Sequence, residues 1–381
     1  MQANMTREHG QPPAVVKPRE LAESLEGICA TAYLSGHKAA SGSRPMRVRL
    51  RSMIAEAERL LEKRGVLPTD RESLLEPLRQ RMESPELEAG HANGTVLLRT
   101  TRRLETVALP WEVEDVVVVD SYPYLTPMLR GGATHREFLL LALSKKNTRL
   151  LECRPSAQHP IDLPAGVARG LEELQGFDKP EQSRGKAAGV TFALDTFSEK
   201  EKLHLHDFCK ALSRGLHPLL EKRGLPLVLA GATAELVAYR DTSGFPLLVA
   251  QAIEGSPDMG WSDAELAENG RAAIRAWQPV EAVHAVDLYL RAGTGKKSVE
   301  IAEILRAAAA GRVLDLFLTG QSQDTGDVDQ ILGRVRPRGS PSGEDDHLAN
   351  AAAVETWRHG GSVWYLNEPL DGSAIAAVFR W

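Results

Sequence analysis

The chain has 381 residues, 43% hydrophobic and 25% charged, with a formal net charge of -5. At roughly 100 to 200 residues per domain this length exceeds a single compact core and points to three domains. No apolar run approaches the roughly 18 to 20 residues of a membrane span, and the start, MQANMTREHGQPPAVVKPRE, has no apolar leader core. A cytoplasmic protein with no membrane partner is expected. The acidic balance gives no global attraction to nucleic acid, so RNA contact falls to local basic clusters. Cys29, Cys153 and Cys209 are few and scattered, which argues against a disulfide framework or a Cys-x-x-Cys metal site.

In chain order, a strand is expected at Ala30 to Leu34, then a helix carrying Leu50, Ile54, Ala57 and Leu61 at helical spacing. Thr69-Asp-Arg-Glu72 has capping-box spacing and opens a second helix with Leu74, Leu75, Leu78 and Met82 on one side. Strands follow at 95–100, 105–109 and 115–120, with Val116 to Val119 reading as fully buried, and Gly131-Gly132 closes the unit. Phe138 to Ser144 and Arg149 to Cys153 read as a hairpin joined by Lys145-Lys-Asn147. A polar loop at 176–190 precedes a helix capped at Ser198, with Leu205, Phe208, Leu212 and Leu219 inward and Gly224 as its stop.

Pro226 to Gly231 is a buried strand leading into a helix start. Ser262-Asp-Ala-Glu265 opens a long helical pattern running through Ile274, Trp277 and Val286, with a kink at Pro279. Then come helix 299–310, strand 313–319, a Gly/Pro-rich loop, helix 348–359 and strands 362–366 and 374–381. The alternation gives an α/β fold. The expected division is an N-terminal arm at 1–27, an α+β N-terminal domain at 28–132, a middle domain at 133–261 and a C-terminal domain at 262–381.

RAGTGKKSVE at 291–300 has the look of a phosphate-binding loop, but such a loop needs a Gly five residues before Gly295, where Leu290 stands. Lys297 occupies the position of the required hydroxyl. The glycines instead end one helix and Ser298 caps the next, so no nucleotide is expected. His204 and His206 point to different sides of a helix, which leaves only the pair His206 and Cys209, short of the three or four ligands of a metal site. No Gly-x-Ser-x-Gly elbow occurs. Catalytic residues, metal ligands and cofactors are therefore expected to be none.

Several stretches in order resemble family 3 of the bacterial branch of the archaeo-eukaryotic release factor superfamily, which also holds class 1 release factors of eukaryotic type and the rescue protein Pelota. They are ATAYLSGHK, VVVVDSYPYLTPMLR, FLLLALSKKNTRLLE, PLVLAGATAEL, AIEGSPD and AGTGKKSVEIAEILRAAAAGRVLDLFL, with HGGSVWYLNEPLDGSAIAAVFRW at the end. The resemblance implies an RNase H-like middle domain and a C-terminal α/β/α sandwich behind a family-specific N-terminal domain. It also implies a Gly-Gly-Gln loop, in which glycines allow close backbone approach to the ester and the Gln positions water. This sequence has no Gly-Gly-Gln: its Gly-Gly pairs are followed by Ala133 and Ser362, and the corresponding loop offers Gln182, Gly185 and Gly189.

An RNase H-type nuclease would carry a carboxylate inside its first strand, and FLLLALS has none, with Glu137 just before it. The expected function is thus a ribosome-associated translation factor that binds rather than catalyses, in stalling, rescue or hibernation. Arg184, Lys186, Lys296, Lys297, Arg334, Arg336 and Arg338 are the candidate rRNA contacts. The alternatives are a peptidyl-tRNA hydrolase or nuclease, and a protein-binding module that docks on a translational GTPase.

Overall fold

The computed structural model describes residues 18–24, 27–36, 45–84, 93–155, 157–177, 199–320, 325–334 and 346–381. The chain forms two compact units, one made of residues 1–133 with 278–381 and the other of residues 134–277.

In the first unit, α1 (Pro18–Ser24), β1 (Cys29–Ser35), α2 (Met46–Lys63) and α3 (Pro68–Glu83) precede β2 (Gly94–Arg99), β3 (Leu104–Leu109), β4 (Val116–Asp120) and α4 (Thr126–Thr134). The sheet order is β3-β2-β1-β4, antiparallel throughout. Strand periodicity divides β1 between two cores. Ala30, Ala32 and Leu34 pack under α2 and α3, while Cys29 and Tyr33 face a core that α1, β2, β3 and residues 111–128 share with residues 304–379. Val116 is exposed because β4 is an edge strand, so the fully buried reading of Val116 to Val119 holds only for its second half.

The second helix starts at Pro68 with Leu67 as N-cap and no side-chain cap bond, so Thr69 is inside the helix; proline at the first position sets φ and needs no donor. Gly131 and Gly132 lie within α4, immediately before the seam between the two units at Ala133. A Cβ on Gly131 would overlap the Trp111 indole ring, so the glycine permits that close packing.

The C-terminal part of this unit comprises α9 (Val280–Arg291), β10 (Lys297–Ser298), α10 (Ile301–Ala309), β11 (Val313–Thr319), β12 (Thr325–Gly326), α11 (Val328–Leu332), β13 (Asp346–His347), α12 (Leu348–Arg358), β14 (Ser362–Leu366) and β15 (Ile375–Phe379). The main sheet runs β10-β15-β11-β14. Leu316 and Leu318 pack with α10 and α12, and Phe317, Ala376 and Val378 pack with α9, which makes an α/β/α sandwich. Ser298 lies in β10 and the helix cap is Glu300; the Ser298 hydroxyl still accepts from the Glu300 N–H at 3.1 Å.

Buried polar groups tie the two parts of the unit together. Asn350 Oδ1 accepts from the N–H groups of Leu125 (2.8 Å) and Thr126 (3.3 Å), and its Nδ2 donates to the Pro123 carbonyl (3.0 Å). Tyr122 donates to Glu355 at 2.8 Å. Arg64 meets Asp346 at 2.5 Å with both side chains buried, and Asp120 accepts from the His347 backbone N–H at 2.8 Å. Such contacts cost little only because Arg64, Asp120, Asp346 and Glu355 each keep a partner.

In the second unit, β5 (Phe138–Ala142), β6 (Arg149–Cys153) and β7 (Gln158–Ile161) form an antiparallel meander, joined by α5 (Leu171–Phe177), α6 (Glu199–Arg223), β8 (Leu227–Gly231), α7 (Thr233–Thr242), β9 (Ile253–Glu254) and α8 (Asp263–Ala276). The order is β7-β6-β5-β8-β9, with β8 parallel to β5 and β9 parallel to β8. This is the RNase H-like arrangement. Leu139, Leu141 and Leu229 pack against α6 and α7; Phe138, Leu140 and Val228 pack against Leu266 and Ile274 of α8. The Ser262–Glu265 capping box is formed, with bonds of 3.2 and 2.9 Å. Its helix nevertheless joins this sheet, so the seam between compact units falls after Trp277 rather than at 261. Pro279 separates α8 from α9 instead of kinking one helix.

Candidate nucleic-acid interface

Three of the seven basic candidates fall on described residues. Lys296 is exposed in the turn between α9 and β10, where Gly295 takes a positive φ of 82°. Its carbonyl accepts from the Phe379 N–H at 2.8 Å, which fixes the turn to the sheet edge. Among the described residues no ion pair engages its ammonium group. Lys297 differs: its Nζ is 3.3 Å from Asp371 and 4.4 Å from the Tyr289 ring centroid. Tyr289 also donates to Asp371 at 2.7 Å. That bond, then the Lys297 charge, hold the Asp371 carboxyl below the usual range.

Arg334, just past α11, lies 3.5 Å from the Tyr122 hydroxyl and 4.0 Å from Glu355. Lys297 therefore belongs to the α9 side of the C-terminal sheet and Arg334 to the α12 side, so these two described residues do not share one patch. Arg184, Lys186, Arg336 and Arg338 lie outside the described residues, as do Gln182, Gly185 and Gly189.

The nuclease and metal readings gain no support from side-chain placement. No carboxylate lies within β5. His206 is exposed and Cys209 buried, so the pair diverges, and among the described residues no three His, Cys, Asp or Glu side chains converge to hold a metal. Burial pushes the Cys209 thiol up to about 12.

Sequence reading missed a groove of about 940 Å³ where β5 and β8 end. Leu143, Leu205 and Val237 give it apolar walls, and Lys145, Lys146 and Lys202 line it with Glu235. Ser144 donates to Asp258 at 2.7 to 2.8 Å and accepts from the N–H groups of Lys146 and Asn147, shaping the lysine turn. The signal available was the lysine pair in the hairpin turn; Glu235 reads in sequence as an ordinary helix-surface carboxylate.

Residues 137–312 match the model of bacterial archaeo-eukaryotic release factor family 3. The resemblance seen in the sequence holds over that span. No curated protein matches. Among solved structures, an archaeal translation termination factor, aRF1, is similar at 13% identity over 96% of this chain and 99% of its own, with a TM-score of 0.23. Archaeoglobus fulgidus Pelota is 12% identical over 76% and 80%, at 0.31. Archaeal Pelota, from a ribosome-bound complex with ABCE1, is 10% identical over 95% and 92%, at 0.37. No helix among the described residues is long and apolar enough to cross a membrane.

Proposed function

We propose that this chain is a release-factor-like translation factor that associates with the ribosome through binding, in stalling, rescue or hibernation, and not through peptidyl-tRNA hydrolysis by a Gly-Gly-Gln loop. The observation that carries the reading is a family 3 match over 137–312 in a sequence with no Gly-Gly-Gln. Of its two Gly-Gly pairs, one lies within α4 and the other in the turn between α12 and β14. Lys296, exposed and held on a fixed turn, is the described residue best placed for an rRNA phosphate. Arg184, Lys186, Arg336 and Arg338 are proposed to add further phosphate contacts, and a translational GTPase is the proposed protein partner.

Co-sedimentation with bacterial ribosomes from growing and stationary cells, at two salt concentrations, tests this. Salt-sensitive pelleting that weakens in Lys296→Glu is expected, since each phosphate contact steepens the salt dependence. Absence of pelleting from both ribosome preparations refutes the reading. Release of peptide from purified ribosome complexes would transfer the assignment to a hydrolase.

A further inference from the structure

We propose that the groove at the ends of β5 and β8 is a nucleotide site that reads an amino-bearing base through Glu235 and holds phosphate with lysines. The expectation of no nucleotide came from the failed phosphate loop at 291–300, which is a different part of the chain.

The deciding group is Glu235. Its residue is only 7% exposed, it lines the groove, and its Oε2 has no hydrogen-bond partner among the described residues. A buried carboxylate oxygen is an acceptor only, so it calls for a ligand that brings an N–H or O–H donor. The walls of Leu143, Leu205 and Val237 suit a flat apolar body, and Lys145, Lys146 and Lys202 suit an anion. The N-cap of α7 is Ala232, with no side-chain cap bond, so the first N–H groups of this ten-residue helix add donors for that anion.

Donor edge, flat body and anion together describe a nucleotide. Two other carboxylates line the groove: Asp258 is engaged by Ser144, and Asp241 is six residues beyond Glu235, about 9 Å along the helix. The position, outside the carboxyl ends of parallel strands, is where open α/β sheets bind ligands.

Base preference follows from the donors. Guanine sets its amino group beside a ring N–H, and adenine and cytosine each offer an amino group. Uracil offers one N–H flanked by two carbonyls, which repel a carboxylate. The expected order places guanine first and uracil last.

Calorimetric titration of the full chain with GMP, AMP, CMP and UMP, and with hexameric adenine and uracil single-stranded RNA, tests the site. Binding of mononucleotides identifies free nucleotide as the source, and binding of the adenine hexamer alone identifies RNA. Glu235→Gln should weaken the amino-bearing ligands about tenfold and leave the uracil ligands unchanged. Lys146→Ala with Lys202→Ala, both at exposed positions, should weaken all ligands and flatten the salt dependence. This second variant decides the matter if Glu235→Gln unfolds early in a melting curve. No binding at millimolar ligand, or binding indifferent to these substitutions, overturns the proposal. The titration needs no ribosome, so its failure is separable from failure of the ribosomal reading.

Discussion

Replacing Arg64 by Ala should be among the most damaging single changes in the chain, because its partner cannot escape to water. The Arg64 and Asp346 side chains are 4% and 2% exposed and meet at 2.5 Å, and Asp346 also accepts from the Ser121 N–H at 3.3 Å. Burial, then the charge of Asp120, push the Asp346 carboxyl up from an ordinary 3.8 to about 6 against the pull of Arg64. Removing one member of such a pair costs about 3–5 kcal/mol, a large share of the roughly 5–15 kcal/mol that holds a domain folded.

The pH dependence has a definite sign. A carboxyl whose folded pKa lies above its unfolded value favours the folded state fully below about 3.8, and that contribution is lost as pH rises through about 6. Without Arg64 the carboxyl shifts further up, so the loss should be larger at pH 8 than at pH 5, where a greater share of Asp346 is protonated. Urea unfolding of wild type and Arg64→Ala at both pH values measures this. A loss below about 1 kcal/mol at pH 8, or a greater loss at pH 5, refutes the reasoning.

Asn350→Ala should cost about 2–4 kcal/mol in the same assay, since it strands the N–H groups of Leu125 and Thr126 and the carbonyl of Pro123 in a buried setting. A change within 0.5 kcal/mol, the range of ordinary surface substitutions, would refute that role. Cys29, Cys153 and Cys209 are all buried, with their thiols pushed to about 12 by desolvation. A disulfide reagent at pH 8 should therefore label none of the three in the folded protein and all of them in denaturant; fast labelling of the folded chain would contradict the burial.

Local pattern in the sequence determined a good deal. The antiparallel hairpin of Phe138 to Ala142 with Arg149 to Cys153, the capping box at Ser262, and the positive-φ stop of the long helix at Gly224 follow from residue types at fixed spacing. The absence of Gly-Gly-Gln is likewise a property of the sequence alone and governs the functional reading. Spacing could not tell which surfaces meet. CATAYLS shows a strand, yet only the tertiary structure reveals that its two faces serve different cores, one of them shared with residues some three hundred positions away.

The same holds for charge. Arg64 and Asp346 stand 282 residues apart and each reads as solvated surface until packing excludes water from both. Lys296 and Lys297 are neighbours of identical chemistry, but a strand pairing and an aromatic face engage one and leave the other exposed. Glu235 has the helical setting of a surface carboxylate, and its isolation in the groove comes from the strand ends folded around it. Residue order fixes local geometry through steric and hydrogen-bonding preferences, whereas desolvation and partnering depend on distant chain segments, so the charged sites had to await the fold.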